Sequence, residues 1–481
     1  GPNRAPKFMM PNTISYLLRK AKQSKDTGLL QYVTTTLNKM AYGGIYDHIG
    51  GGFSRYSVDK KWHVPHFEKM LYDNAQMVSL YSNAYLATKD NLYKEVVTQT
   101  LAFVARECTN SEGAFYSSFD ADSLTKDGVL EEGAYYVFTK EELTKELGED
   151  VELFSTYYNI NSFGLWENNH YVLIRSKSDP EVCAAFGITN QELQNKKEGW
   201  RKALLSYRNK RDKPRLDDKI LTSWNGLMLK GYVDAYKAFQ EPAYLQAALK
   251  NAHFIKSKQW QTSGALFHSH KDGKSTINGY LEDYAAVIDA YIGLYEITLD
   301  DQWLLIANEL TSYTYGHFFD SEKQLFYFTN DQDPSLITRS FEYRDNVIPA
   351  SNSMMAKNLY VLSHHFDNQT YGATASQMLK NVLPEIEKYP SGFSNWLDLL
   401  ANFQNSFYEI VVVGEDAQQK VKEIHQYYLP NKLVAGSTKA GNSPLLEQRF
   451  IENETFVYVC VNNACKMPET EVTKAIDLIE L

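Results

Sequence analysis

A helical hairpin recurs along this chain and limits the folds open to it. Four segments place two large residues twelve positions apart, on either side of a short polar break. The pairs are Tyr81 and Tyr93, Tyr232 and Tyr244, Tyr291 and Trp303, and Leu359 and Tyr371. Apolar residues flank each break at helical spacing, which predicts a helix, a turn and a second helix in each unit. The chain is therefore expected to be an array of αα-hairpins.

About twelve helices are predicted in all, which is enough for six hairpins. They lie near 12–24, 27–42, 67–88, 91–108, 196–208, 220–239, 242–259, 281–298, 301–316, 349–365, 370–386 and 393–404. Six hairpins favour a mainly α fold, a closed (α/α)6 toroid with an inner and an outer ring of helices. An open solenoid of the same hairpins is the alternative, because spacing alone does not establish closure.

Two parts of the chain depart from the hairpin pattern. Residues 113–195 contain the alternating segments YYVFT and HYVLIR around a short helix, and they predict a β-containing insertion in a barrel that spans 1–405. From 406 to 481 the apolar run EIVVVG is followed by an amphipathic helix, further strands and a last helix. This alternation of strand and helix patterns predicts a small α/β domain at the C-terminus.

Composition argues against several classes of protein. The formal net charge is −10 and the pI is near 5.7, whereas a nucleic-acid binder usually presents a basic surface. No apolar run approaches the ~20 residues that span a bilayer, and the N-terminus has no signal core, so a cytoplasmic location without membrane contact is expected. Cys460 and Cys465 are expected to be reduced, with a disulfide or a metal pair as the less favoured alternatives.

The densest group of candidate site residues lies in GGIYDHIGGGFSRYSVDKKWHVPHFEKMLYDNAQ at 43–76. Glycine-rich backbone beside the start of a helix offers free N–H groups to hydroxyl-rich or anionic ligands. The alternative is a tight crossing between hairpins that needs glycine for close approach. The candidates are His66 and Glu68 for catalysis, and Arg55, Tyr56 and Trp62 for substrate binding.

Acidic pairs stand at three further joins between hairpins. They belong to SSFDADS, RLDDKILTSWNG and GYLEDYAA, and each could instead cap a helix. In a toroid such joins can gather at one mouth, where carboxyl groups suit general acid/base chemistry on a sugar. Asp122 and Glu282 are the preferred catalytic candidates. The others are Asp120, Asp218 and Asp283.

Further polar residues at helix starts complete the predicted site. Trp224 is a candidate stacking platform and Asn225 a hydrogen-bonding neighbour, while Arg344 and Asn352 occur in EYRDNVIPASNSMMAKN. His268 and His270 alternate in FHSH, but two histidines without a third ligand are weak evidence for a metal. No metal and no cofactor are therefore predicted.

Five long motifs occur in an order that resembles one family. They are HVPHFEKMLYDNAQ, FDADS followed by EGAYYVFT, LDDKILTSWNGLM, GYLEDYAA and PASNSMMAKNL. They resemble the spermatogenesis-associated protein 20 family, which includes bacterial thioredoxin-domain proteins, and the likeness runs from APKFMMPN at 5–12 to near the C-terminus. The resemblance implies a thioredoxin-like domain followed by a six-hairpin barrel, and this chain begins where that first domain would have ended.

The resemblance leaves two functional hypotheses. The barrel is similar in architecture to six-hairpin glycosidases and N-acylglucosamine 2-epimerases, which implies a carbohydrate-active or carbohydrate-binding protein whose partner is a small molecule or an oligosaccharide. One carboxyl would then act as acid and a second as base or nucleophile. An epimerase mechanism is disfavoured, since those enzymes use a histidine on a late inner helix and 281–298 has none. The alternative is a non-catalytic recognition or scaffold module for the attached thioredoxin-like domain, with Cys460 and Cys465 as redox partners.

Overall fold

The helices follow the predicted hairpins closely. The computed structural model describes residues 5–334, 338–462 and 464–480. The helices are α1 (Pro11–Gln23), α2 (Thr27–Tyr42), α3 (Leu71–Thr88), α4 (Asn91–Phe103), α5 (Lys140–Leu147), α6 (Val151–Tyr158), α7 (Asp179–Phe186), α8 (Asn190–Arg208), α9 (Thr222–Phe239), α10 (Pro242–Phe254), α11 (Leu281–Thr298), α12 (Asp301–His317), α13 (Ser351–Phe366), α14 (Gln369–Ile386), α15 (Ser394–Gln404), α16 (Ala417–Ile424) and α17 (Val472–Asp477).

Short strands occupy the joins between hairpins and the C-terminal domain. They are β1 (Lys7–Phe8), β2 (Tyr56–Ser57), β3 (Pro65–His66), β4 (Lys69–Met70), β5 (Ser118–Phe119), β6 (Asp122–Leu124), β7 (Leu130–Glu132), β8 (Phe138–Thr139), β9 (His170–Tyr171), β10 (Leu216–Asp217), β11 (Ile220–Leu221), β12 (Phe267–Lys271), β13 (Lys274–Asn278), β14 (Phe319–Asp320), β15 (Leu325–Phe326), β16 (Tyr408–Val413), β17 (Lys432–Ser437), β18 (Phe456–Val461) and β19 (Ala464–Cys465). The helix predicted from residue 67 begins instead at Leu71, because β3 and β4 pair with neighbouring strands.

Six helices of the described chain close into an inner ring. In ring order they are α1, α3, α9, α11, α13 and α15, and α15 packs back against α1. Outer helices α2, α4, α10, α12 and α14 each pack against the inner helix that precedes them. The predicted toroid is therefore confirmed. The sixth hairpin differs, since α15 leads directly into β16 of the C-terminal domain.

Each polar break in the repeat is a two-residue turn with a physical task at both positions. The first residue is left-handed and ends the inner helix, as Lys89 does with φ 59° and Leu299 with φ 56°. The second is the N-cap residue of the outer helix, and in three of the four breaks its side chain accepts a hydrogen bond from the first turn, as the Asp90 carboxylate does from the Leu92 backbone N–H. Glu241, at the remaining break, makes no such bond. The polar breaks recur in the sequence because the same turn joins the two helices of each hairpin.

A buried side chain near the start of each of three inner helices fixes the preceding loop. The Asn225 amide accepts from the N–H of Phe115 and donates to its carbonyl. Asn74 does the same with both backbone groups of Phe53, and the Asn352 amide with those of Phe326. We call these three residues the asparagine clamps. Each satisfies the backbone of a loop that would otherwise be buried without partners.

The inner helices run parallel, so their N-terminal ends share one end of the barrel. The Asn358 amide, in the second turn of α13, donates to the carbonyl of Ala285, in the second turn of α11. Thr13 and Ser394, at the starts of α1 and α15, share a hydrogen bond of 2.9 Å. The joins that carry the sequence motifs therefore lie together at this end, which we call the mouth.

The insertion forms a separate small core beside the ring. Phe154 of α6 packs edge-on against Trp200 of α8 at 5.3 Å between ring centroids, and the predicted strands YYVFT and HYVLIR contribute the paired β8 and β9. Helix α8 packs on α5 and α7. Helix α8 therefore contributes to the same small core as α5, α6 and α7.

The C-terminal domain covers the end of the ring opposite the mouth. Its sheet has the order β17-β16-β18-β19, with α16 and α17 against it. Gln418 donates to the carbonyl of Ile297, and Gln426 donates to that of Lys237, so α16 is tied to the C-terminal ends of α11 and α9. Glu296 is buried at this junction beside Lys237 and Lys432.

Cys460 and Cys465 form a disulfide, so the prediction that both are reduced was wrong. The two residues are directly opposite each other on the antiparallel strands β18 and β19. Among the described residues, no helix is both long and apolar enough to cross a membrane.

Candidate functional site

A polar cavity runs down the middle of the ring. Its volume is about 330 Å³, and side chains from all six inner helices line it. The charged groups are largely paired within its wall. Arg19 and Lys357 lie 2.9 and 2.6 Å from Asp398, and Lys230 lies 2.8 Å from Asp234. Hydroxyl, amide and charged groups therefore surround a space that suits a small hydroxyl-rich ligand.

The far end of the cavity is formed by the C-terminal domain. Tyr428 and Pro430, which follow α16, contribute to the lining. Since this domain covers the C-terminal ends of the inner helices, the mouth is the side from which a ligand would approach.

Three of the motif residues lie above the cavity on the faces that line it. Tyr72, Trp224 and Glu282 precede the cavity-lining residues Gln76, Leu227 and Asp289 by four, three and seven positions. Residues at these spacings share one side of a helix. Tyr72 and Trp224 also touch, edge to face, with 4.9 Å between ring centroids. Two aromatic side chains and a carboxyl group therefore stand where the cavity meets the mouth.

Glu282 belongs to a compact group with His268 and Asp283. One side-chain nitrogen or oxygen of each residue lies within 4.8 Å of the others. The Asp283 carboxylate is fully buried and accepts hydrogen bonds from the Ser223 and Tyr280 backbone N–H groups. Its second oxygen lies 2.9 Å from His268 Nδ1. The pairing fixes the imidazole ring and leaves Nε2 on the opposite side.

The two titratable partners of Asp283 are shifted in the same direction. Burial raises the pKa of Glu282 to about 8, and the negative charges of Asp283 and Glu342 add to this effect. Burial alone would lower the pKa of His268, but the hydrogen bond and charge of Asp283 raise it overall. At neutral pH Glu282 therefore holds a proton that an ordinary glutamate would have lost.

The residues of this group could in principle ligate a cation. However, both Asp283 oxygens are already engaged by two backbone N–H groups and by His268, and Glu282 is protonated at neutral pH. A cation bound here would have to displace the proton of Glu282 and compete with His268 for the second Asp283 oxygen. The arrangement is better suited to moving protons.

A second polar group lies at the join before α3. His66 Nδ1 is 2.7 Å from Glu132, and its Nε2 is 3.7 Å from Glu68. Glu68 in turn forms an ion pair of 3.0 Å with Arg55, and Tyr56 stacks on His66 at 4.9 Å. Four residues predicted from the motif at 43–76 are thus brought together. Asp122 is the cross-strand partner of Glu132, which places it beside this group.

Arg55 joins this second group to the mouth, because its guanidinium also interacts with the Tyr72 hydroxyl. Asp73, the next residue of α3, is buried, and burial raises its pKa well above the ordinary value. One of its oxygens has no hydrogen-bond partner among the described residues. Contacts therefore run continuously from His66 through Arg55 and Tyr72 to Trp224.

Three other predicted site residues lie outside these two groups and form ion pairs of their own. Asp120 and Asp218 are half-buried and pair with Arg215 and Lys271. Arg344 is exposed and forms an ion pair with Glu385.

Three more predicted binding residues point away from any open site. Trp62 is buried beneath Lys7, whose ammonium lies 4.3 Å from the ring centroid. Asn225 and Asn352 are fully buried asparagine clamps. Because their amides are taken up by backbone groups, these two are corrected from ligand-binding to structural residues.

Sequence reasoning missed the contact of His268 with Asp283, that of Tyr72 with Arg55, and the proximity of Glu342 to Glu282. The sequence indicates His268 only as a weak candidate metal ligand, although FHSH lies on a predicted strand shortly before GYLEDYAA. His268 reaches Asp283 because the β12–β13 hairpin folds back so that β12 lies beside the start of α11. The local sequence pattern does not specify this arrangement.

Comparisons with known proteins agree with the fold and with the motifs. No protein-family model matches the chain. Human spermatogenesis-associated protein 20 is 31% identical over 516 residues, an alignment that covers 97% of this chain and 65% of the human protein. An uncharacterised protein of Caenorhabditis elegans is 29% identical over 523 residues, covering 100% of this chain and 70% of the nematode protein. This chain thus spans slightly less than two thirds of the length of the human relative.

Among solved structures, a sugar epimerase from a ruminal bacterium has a similar fold. The TM-score is 0.51 with 10% sequence identity, over 79% of this chain and 76% of the epimerase. At this identity the likeness concerns the arrangement of helices alone. The resemblance carried by the five motifs is confirmed: over 97% of its length, this chain is similar in sequence to human spermatogenesis-associated protein 20.

Proposed function

We propose that this barrel acts on a carbohydrate bound where the mouth opens into the central cavity. The observation that carries the proposal is the raised pKa of Glu282 beside the His268–Asp283 pair. A carboxyl group that stays protonated at neutral pH, next to an oriented imidazole, is the combination that general acid/base chemistry requires. Asp122 is a weaker second choice for a catalytic carboxyl, since it lies beside His66 in the second group.

Glu282 is the proposed general acid and His268 the proposed base. Asp283 receives the hydrogen bond of His268 Nδ1, which holds the ring and favours uptake of a proton at Nε2. Trp224 is half-buried and provides an aromatic face on which a sugar ring can pack, while the buried Tyr72 holds Trp224 through their edge-to-face contact. Hydroxyl and amide groups in the cavity supply hydrogen-bond partners for a hydroxyl-rich ligand.

The first test is turnover by the purified chain with a panel of mono- and oligosaccharides. NMR in D₂O detects epimerisation or isomerisation as loss of a carbon-bound proton, and mass spectrometry in H₂¹⁸O detects hydrolysis as ¹⁸O in the product. Glu282→Gln should lower kcat by roughly 10²–10⁴-fold, because the amide retains the shape but has no proton to transfer. Glu322→Gln, at an exposed position, is the matched control. Turnover by Glu282→Gln at the wild-type rate would refute the assigned role.

The disulfide favours a second candidate function. A barrel that recognises protein clients for a thioredoxin-like domain would use Cys460 and Cys465 for thiol exchange. In that case the chain captures a thiol-bearing protein without binding sugars. Calorimetric titration with the same saccharides distinguishes the two, since binding that Trp224→Ala weakens supports the carbohydrate proposal.

A further inference from the structure

The two sulfur atoms of the C-terminal disulfide have different surroundings. Cys460 lies on β18 and is fully buried, whereas Cys465 lies on the edge strand β19 and is exposed. An incoming thiol can therefore reach one sulfur and not the other. In thiol–disulfide exchange, the sulfur that is not attacked becomes the leaving group.

The buried sulfur has a cationic neighbour. Arg449 directs a guanidinium N–H at Cys460 Sγ over 3.3 Å. Its own position is fixed by Tyr458, whose hydroxyl donates to the Arg449 carbonyl and whose ring lies 5.0 Å from the guanidinium. A positive charge beside a sulfur stabilises the thiolate form. Cys460 is thus equipped to leave as a thiolate.

One negative group lies on the same side. Glu409 of β16 is the cross-strand partner of Cys460, and it forms a pair of 2.7 Å with His364. Glu409 also interacts electrostatically with Arg449. Its negative charge therefore opposes the stabilisation of the Cys460 thiolate by Arg449. Removing the charge of Arg449 and removing that of Glu409 should consequently have opposite effects on the reactivity of the disulfide.

We propose that Cys460–Cys465 is a reactive disulfide that accepts two electrons from a dithiol, with Cys465 as the sulfur attacked and Cys460 as the leaving group. This activity specifies the chemistry of the second candidate function, on which it rests, and it uses none of the residues proposed for carbohydrate chemistry. In the first step a thiolate forms a bond to Cys465 Sγ, the bond between the two cysteine sulfurs breaks, and its electron pair goes to Cys460 Sγ beside Arg449. In the second step the other thiolate of the dithiol attacks its own mixed-disulfide sulfur. Cys465 leaves and takes a proton from water, so the dithiol ends as a disulfide.

The site of attack is tested by mapping a mixed disulfide. The folded chain, carrying Cys183→Ser to remove the half-buried free thiol, is treated with glutathione. It is then quenched with N-ethylmaleimide in denaturant, because the Cys460 thiol is buried in the folded chain. Peptide mass spectrometry should find glutathione on Cys465 and maleimide on Cys460. The reverse labelling, or no reaction while the chain stays folded by near-UV circular dichroism, would overturn the proposal.

The leaving-group role is tested by the rate of reduction with dithiothreitol. Arg449→Gln should slow reduction by roughly three- to tenfold, because the leaving thiol loses its cationic neighbour. Arg449→Lys keeps the charge, and its rate of reduction should lie between those of the parent and Arg449→Gln. This variant keeps the test valid if Arg449→Gln folds poorly. Glu409→Gln should not slow the reaction, and Arg215→Gln, at an exposed site, is the control. Equal rates for Arg449→Gln and the parent would contradict the assignment.

Discussion

Two glutamates on one helix show how neighbours decide the behaviour of a side chain. Glu282 and Glu296 begin and end α11, and both are largely removed from water. Burial raises the pKa of Glu282 to about 8, and the neighbouring carboxylates Asp283 and Glu342 raise it in the same direction. Burial alone would also raise the pKa of Glu296, but Lys237 and Lys432 hold it well below the ordinary value. The same residue type is therefore a proton donor at the mouth and a fixed anion at the far end.

The raised pKa of Glu282 predicts a pH-dependent stability. Between its ordinary value of 4.5 and about 8, the folded chain keeps a proton that the unfolded chain loses. Stability from this group therefore falls as the pH rises through that window. Glu282→Gln removes the dependence, so its Tm should equal that of the wild type at pH 5 and exceed it at pH 8.5.

Differential scanning fluorimetry across this range measures the effect, with Glu322→Gln as the control. A constant difference in Tm at every pH would indicate that Glu282 ionises normally.

At the residue scale the sequence predicted part of the site. Glu282 and Asp283 were found because acids at a helix start stand out. Asn225 and Asn352 occur at similar positions, yet their amides bind backbone. Nothing in the local sequence separates an asparagine that faces a ligand from one that faces a loop, because the difference lies in residues that are far away along the chain.

At the scale of elements, the hairpins were predictable because one turn repeats. The short strands were not, since a two-residue strand such as β3 forms only where a neighbouring segment arrives to pair with it. The asparagine clamps fasten these strands and loops to the inner helices.

Loss of a clamp should therefore be costly. Asn225→Ala leaves the buried N–H and carbonyl of Phe115 without their side-chain partner. We expect a loss of about 2–4 kcal/mol in the free energy of unfolding, since several buried hydrogen bonds are broken together. Asn195→Ala, at an exposed helical position, should change it by less than ~0.5 kcal/mol.

Urea denaturation followed by circular dichroism compares the two variants. A change below 1 kcal/mol for Asn225→Ala would show that water replaces the amide at little cost.

At the scale of the whole molecule, the sequence predicted a ring and a C-terminal domain but not how they meet. Their junction contains the buried charges Glu296, Lys237 and Lys432, together with His425, whose pKa burial lowers well below the ordinary value. These groups lie in segments far apart in the sequence. Hairpin periodicity carries no information about such a contact.

This junction should make the protein sensitive to acid. The depressed pKa of Glu296 contributes stability that is fully present above its ordinary value of 4.5 and is lost as the pH falls below it. Glu296→Gln should cost about 3–5 kcal/mol at pH 7, because two lysines keep their charge without a buried anion. Its Tm should then fall less steeply than that of the wild type between pH 5 and pH 3.

Glu471→Gln, which breaks an exposed pair with Lys474, is the matched control and should cost at most ~1 kcal/mol. Parallel curves of Tm against pH for Glu296→Gln and the wild type would rule out this origin of acid sensitivity.

Tyr428 and Pro430 place the C-terminal domain against one end of the central cavity. If the proposed carbohydrate chemistry takes place at the mouth, substrate and product both pass through that side of the ring, and their exchange there sets an upper limit on turnover.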